Sequence, residues 1–177
     1  MSLRTPVSAN DHVQGNVHAA IELVEYGDYQ CPHCARAYPI IKRLQAQMGD
    51  RMKFIFRNFP LAEIHPQAFI AAVAAEASGK QQKFWEMHDI IFENRDQLEV
   101  EYLFAYAARI GLDLEQFKDD IQQDVFAAKV ESDFESGVRS GVNGTPTFFI
   151  NGKKYTGSWE GDDLLNYFEK NYPGDKS

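Results

Sequence analysis

A β-prone run that feeds directly into two cysteines one helical turn apart, "VEYGDYQCPHCARAYP" at residues 24–39, limits this chain more than any other feature. Only Pro32 and His33 separate Cys31 from Cys34. The run before them, "AIELVEY" (20–26), has the composition of a strand, and behind them Tyr38, Ile41, Leu44 and Met48 recur on one helical face. The chain is thereby committed to strand, loop and helix, with both thiols at the junction. "MKFIFRNF" (52–59) reads as a second strand, so the unit is βαβ with a right-handed parallel crossover.

Such a pair can staple the fold, hold a metal, or react. A bridge across so short a loop restricts the unfolded chain little, and a 177-residue chain with 44% apolar residues fills a core without it. A zinc site needs about four ligands. There is no second cysteine pair, and His12, His18, His33, His65 and His88 show no spacing that completes a site, so no metal is expected. Redox chemistry is left. It requires an exposed thiolate as nucleophile, a second thiol that can resolve a mixed disulfide, and surroundings that lower the first thiol's pKa.

The sequence supplies these requirements. A helix starting near Cys31 places its sulfur among unpaired backbone N–H groups at the positive end of the helix dipole. Pro32 suits the first turn because it has no N–H to leave unpaired. His33 either sets a donor or a positive charge beside the sulfur or is simply an exposed polar residue. Cys34, one turn inside, is the resolving thiol. Glu25 lies in the strand six residues before Cys31. There it is either a desolvated carboxyl able to exchange a proton with Cys34, or a residue that faces solvent or pairs with Arg57.

The remainder of the chain changes in kind twice. Residues 1–16 are polar and show no period, and read as a surface arm. From about 63 to 141 the chain is Ala-rich and amphipathic, with His65-Pro66 introducing its first helix and Asp113 three residues before Gln116 as a capping box. Then "TFFINGKKY" (147–155) sets Asn151-Gly152 between two β-prone runs, a hairpin signal, and "DDLLNYFEKNYP" closes as a helix. The order is βαβ, a helical block, then ββα. One 1–177 domain is expected, its core about 17–62 and 142–172. Thr145-Pro146, just before the hairpin, is a place where a cis bond would serve to expose the backbone of Thr145 to an extended peptide; taken alone, an ordinary trans proline opening an edge strand is the simpler reading.

Charge and hydropathy remove other classes of partner. The net charge is −8, from 18 basic and 26 acidic residues, without a basic cluster, so nucleic acid is not expected. No apolar run reaches the length of a membrane span and no secretory leader is visible. The chain as written reads as a cytoplasmic monomer, or as periplasmic if a leader has been removed.

These motifs together resemble the DsbA-like branch of the thioredoxin superfamily, bacterial thiol-disulfide oxidoreductases. The resemblance covers about residues 17–170 and rests on "VEYGDYQCPHCARAYP", "RNFPL", "HPQAFIAAVAAEASG", "KFWEMHDIIFEN" and "GVNGTPTFFING". It implies an α/β, thioredoxin-like fold with an inserted all-helical block. It also implies that Thr145-Pro146 is cis and lies against the sulfurs, that Cys31 attacks, that Glu25 matches a buried acidic position, and that CPHC belongs to strongly oxidising members. The expected activity is disulfide exchange with cysteine pairs of client proteins, without a cofactor, in the oxidase direction and with a recycling partner. A cytosolic reductase and a redox-sensing or binding module without turnover are the alternatives.

Overall fold

The computed structural model describes residues 1–174, and the last three positions of the expected domain lie outside the described residues. A five-stranded sheet in the order β1-β3-β2-β4-β5 carries helices on both faces. At its centre β2 (Ile21–Gly27) and β3 (Met52–Asn58) run parallel, joined by α1 (Pro32–Met48). Five helices follow: α2 (Ala68–Lys80), α3 (Phe84–Glu93), α4 (Val100–Arg109), α5 (Leu114–Asp120) and α6 (Asp124–Arg139). The chain then returns to the sheet as β4 (Thr147–Ile150), antiparallel to β2, β5 (Lys153–Lys154) and α7 (Asp163–Asn171). This is a thioredoxin-like α/β fold with helices inserted between β3 and β4.

Local chemistry accounts for the element boundaries. Pro32 occupies the first turn of α1, and Gly49, at φ 54°, takes its C-terminal cap in a conformation that favours glycine. The buried stripe of α1 is Cys34, Ala37, Ile40, Ile41, Leu44 and Met48, whereas Tyr38 is only partly buried at its edge. Asp113 caps α5 by accepting from the Gln116 N–H (2.9 Å). The return bond of the expected capping box is made elsewhere, because the Asp113 N–H donates to Gln81 Oε1 (2.9 Å). Asn151 and Gly152 both have positive φ, 48° and 80°, which matches the right-handed twist of the β4–β5 hairpin.

The arm differs from its expected form. His12–Gly15 make a strand, β1, antiparallel to β3 at one edge of the sheet. At the opposite edge Ser2 bridges Lys153, with the Leu3 N–H on Gly152 O (2.8 Å) and the Lys154 N–H on Met1 O (3.0 Å). Between these points Leu3 and Val7 cover a face of the sheet built from Val24, Tyr26, Ile55 and Phe149. A four-residue strand of mixed composition carries little intrinsic signal, so its pairing is a tertiary effect.

Residues of alternate parity go to opposite faces of the sheet. Leu23, Phe54, Phe56, Phe148 and Ile150 pack with α1, α3 and the inserted helices in the larger core. Tyr26 and Arg57 are cross-strand partners and point the other way. Arg57 is 2% exposed and its guanidinium donates to both carboxylate oxygens of Asp11 (2.8 and 2.9 Å), to Tyr26 Oη (2.9 Å) and to the carbonyls of Thr5 and Pro6. The arm is therefore anchored to the sheet by a buried ion pair.

Asp11→Ala is expected to cost about 3–5 kcal/mol of unfolding free energy, because it leaves the Arg57 charge buried without its partner. Asp162→Ala, whose partner Arg43 is more than half exposed, should cost less than about 1 kcal/mol. Burial pushes the Asp11 carboxyl up, but Arg57 and the Ser8 N–H outweigh it and hold the group below its ordinary 3.8. Its contribution is thus complete above about pH 4 and is lost as the pH falls through the folded value. Urea unfolding of both variants against pH checks size and sign together.

Candidate active site

Cys31 is the N-cap residue of α1, with extended backbone (φ −68°, ψ 125°). Its carbonyl takes the first helical bond, from the Ala35 N–H (3.1 Å), and its own N–H points back to Asp28 (Oδ1 3.1 Å, O 3.2 Å). The sulfur is left at the helix end, where the peptide N–H groups of His33 and Cys34 converge. The Cys34 thiol, the Thr145 hydroxyl and these two N–H groups outweigh the burial that opposes ionisation, and the Cys31 thiol falls to about 5. The residue is only 3% exposed, less open than its role as nucleophile suggested, because the loop before β4 folds over it. The distance from Cys31 Sγ to the Thr145 carbonyl is 3.7 Å, and the Thr145-Pro146 bond is cis. The Thr145 hydroxyl is buried with no partner among the described residues while Cys31 is a thiol; a thiolate provides one.

Cys34 is fully buried, and burial, then its bond to Cys31, then the charge of Glu25 push its thiol well up. The backbone N–H of Asp28 points at its sulfur (3.4 Å). Both cysteines are free thiols here. Glu25 is 3% exposed and pairs in register with Phe56 and Phe148, so it lies on the α1 side of the sheet. Arg57, one position out of step, goes to the opposite face and to Asp11, so it is not the partner of Glu25. Desolvation first and Cys31 second push the Glu25 carboxyl up to about 8.

Pro32 is the first helical residue, as the sequence predicts. The His33 ring is placed differently from the reading that set it beside the sulfur. It is exposed, and its Nδ1 accepts from Arg36 Nη2 (2.8 Å). What His33 contributes to Cys31 is its peptide N–H. Arg36 also reaches Glu160 Oε1 (3.3 Å) and lies 6.0 Å from the centre of the Trp159 ring, which joins the first turn of α1 to the loop after β5. Asp28 is the residue that sequence reasoning missed. It is 1% exposed and its carboxylate accepts from the N–H groups of Gln30, Cys31 and Leu61 and from His65 Nδ1. In "YGDYQC" it reads as an ordinary turn residue bonded to Gln30 and Cys31, and its other two partners, Leu61 and His65, lie more than thirty positions away.

Two cavities of about 530 and 720 Å³ open elsewhere. The first is lined by Asp11, His12, Arg57 and Glu76, the second by Leu61, Ile64, Phe69 and Phe134, and neither by a cysteine. Among the described residues no group of three or more His, Cys, Asp or Glu could hold a metal ion.

A family profile described as Thioredoxin matches residues 7–170. The chain is 40% identical over 174 residues to a protein named Na(+)/H(+) antiporter NhaA 1 of Mycobacterium sp. (strain KMS), a match that takes in 96% of this chain but 28% of that protein. The chain thus spans little more than a quarter of the curated relatives it resembles. Among solved structures, a thioredoxin-like oxidoreductase from Silicibacter pomeroyi DSS-3 superposes with a TM-score of 0.80 at 25% identity, covering 92% of both chains. Oxidised BdbD from Bacillus subtilis superposes with a TM-score of 0.77 at 27% identity, covering 91% of this chain and 92% of that one.

The rate of thiol alkylation against pH should show a transition near 5 that is lost in Cys31→Ser. Thr145→Val should raise that midpoint by about one to two pH units, since a hydrogen bond to a charged group contributes roughly 1.5–3 kcal/mol. His33→Val keeps the peptide N–H and should move it by less than about half a unit. Equal shifts in the two variants would show that the His33 ring, not its backbone, acts on the sulfur.

Proposed function

Since the chain belongs to the thioredoxin family, in its DsbA-like branch of thiol-disulfide oxidoreductases, we propose that it oxidises cysteine pairs of client proteins through Cys31 and Cys34. The observation that carries this reading is the opposed state of the two thiols, Cys31 brought down to about 5 and Cys34 pushed well up. Whatever stabilises the Cys31 thiolate stabilises the reduced pair relative to the disulfide, and so makes the pair an electron acceptor.

In the proposed direction a client thiolate attacks the Cys31 sulfur of the Cys31–Cys34 disulfide. The Cys34 sulfur leaves with the bonding electrons and takes up a proton; Glu25, pushed up to about 8, is the acid close to it. The second client thiolate then attacks the client sulfur of the mixed disulfide. Cys31 leaves as the thiolate that the helix end stabilises, and two electrons have passed from client to enzyme. The Thr145 backbone, with Pro146, faces the reacting sulfur and binds the client strand. The clients are unfolded or flexible proteins, and a separate redox partner reoxidises the pair. The enzyme acts as a monomer, in a compartment that keeps its pair oxidised.

The antiporter name belongs to proteins of which this chain matches 28%. Among the described residues no helix is long and apolar enough to cross a membrane. The matched part of this chain includes Cys31 and Cys34, and disulfide exchange is the chemistry that these side chains support.

Equilibration with the glutathione couple is expected to give a potential above about −200 mV, toward the oxidising end of the family, and the protein should accelerate oxidative refolding of a reduced, disulfide-containing client. A potential near about −270 mV would assign the reductase direction instead. A protein with no effect on either the refolding or the reduction of clients is a binding or sensing module.

A further inference from the structure

The turn between β2 and α1 is held from one point. Asp28 Oδ1 accepts from the N–H groups of Gln30 (2.8 Å) and Cys31 (3.1 Å), and Oδ2 from the Leu61 N–H (2.9 Å) and from His65 Nδ1 (2.7 Å). Four donors saturate the two oxygens, so the carboxylate serves as an acceptor only, and His65 carries its proton on Nδ1. The peptide N–H of Asp28 itself donates to Cys34 Sγ (3.4 Å). His65 is itself fixed at both ends, its N–H on Leu61 O (2.8 Å) and its carbonyl accepting from Ala68 (3.1 Å), and its side chain is 16% exposed. One residue therefore binds the turn, the loop before α2 and the buried sulfur together.

From this geometry we infer that Asp28 and His65 are positioning residues for the resolving half of disulfide exchange, in which Cys34 attacks; the inference rests on the exchange reading above. When Cys34 becomes the nucleophile it carries negative charge in apolar surroundings, where a fixed donor is worth more than in water. The Asp28 N–H is such a donor, and its aim depends on the plane of a peptide whose side chain is clamped on both sides. His65 supplies the clamp on the side of the β3–α2 loop. The Cys31 thiolate of the first half is stabilised by other groups, the Cys34 thiol, the His33 and Cys34 N–H groups and Thr145, and the Cys31 N–H keeps the Asp28 carbonyl (3.2 Å) as an acceptor beside Oδ1, so the loss of His65 falls mainly on the second half.

With glutathione disulfide as oxidant the two halves separate cleanly. The Cys31 thiolate attacks one sulfur of glutathione disulfide, that S–S bond breaks, and one glutathione leaves as a thiolate. Cys34, deprotonated, then attacks Cys31; the mixed disulfide breaks, the Cys31–Cys34 bond forms, and the second glutathione leaves and takes up the proton. Two electrons have passed from the cysteine pair to glutathione disulfide, which is released as two glutathione thiols.

The experiment mixes reduced protein with glutathione disulfide, quenches in acid at intervals, and follows adduct and disulfide by mass, with Cys34→Ala reporting the first half alone. His65→Ala should leave the first half within about twofold and slow the second by about tenfold or more, so that the adduct accumulates. His65→Asn, whose side-chain N–H can reach Asp28, should recover most of the second rate. Unchanged rates in His65→Ala, equal slowing of both halves, or failure of His65→Asn to recover where its melting temperature matches the wild type each overturn the inference. A wild-type protein that forms no Cys31–Cys34 disulfide overturns the exchange reading and this inference with it.

Discussion

The Cys31 sulfur is made a stable anion by dipoles, not by a cation. Two peptide N–H groups, one hydroxyl and one thiol do the work, and each is useful only while its direction is held. Those directions are set by the first turn of α1, by the strand that delivers the chain to it, and by the loop that lays Thr145 against the sulfur. The parallel β2–β3 pair, the Asp28 bonds and the return of the chain to β4 all serve to keep one helix end and one loop in register. A lysine beside the sulfur would tolerate far looser architecture, because a charge acts over a longer range than a hydrogen bond.

Parity along the central strands sorts the ionisable groups. Glu25 and Arg57 are one register step apart, and that step sends the acid to the face with the cysteines and the base to the face under the arm. The base finds Asp11, two carbonyls and a hydroxyl. The acid finds apolar walls and the sulfurs, and stays protonated well above the usual carboxylate range. Neither side chain could exchange places with the other by repacking alone, since a shift of one residue would carry every core residue of the strand with it.

Sequence patterns disclosed what depends on local chemistry. The junction of strand, cysteines and helix, the Asn151-Gly152 turn and the Asp113 cap each need only a few neighbouring residues, and each was legible. Spacing alone allows two readings of Glu25 because strand parity decides it, and parity needs the partner strand. Spacing leaves the His33 ring either beside the sulfur or exposed; Arg36, on the same helix, draws it outward, a choice between rotamers that spacing does not reveal. Asp28 and β1 were illegible for a common reason. Their partners, Leu61 and His65 for one and Phe54 to Phe56 for the other, lie tens of residues away and come close only when the sheet forms.

The course of the first fifteen residues bears on how this protein meets others of its kind. They start beside β5, cross one face of the sheet and end beside β3, so that both lateral margins are finished by the same strip of chain. What is left at either side is short: three residues beside a two-residue strand, and a four-residue strand ending at a glycine with φ 93°. An unpaired row of amides and carbonyls is the usual template on which a second chain lengthens a sheet. Any extended polypeptide brought close to such a row can pair with it. Among the described residues both lateral rows are short, and a further stretch of main chain, the Thr145 carbonyl, lies away from them, 3.7 Å from the Cys31 sulfur.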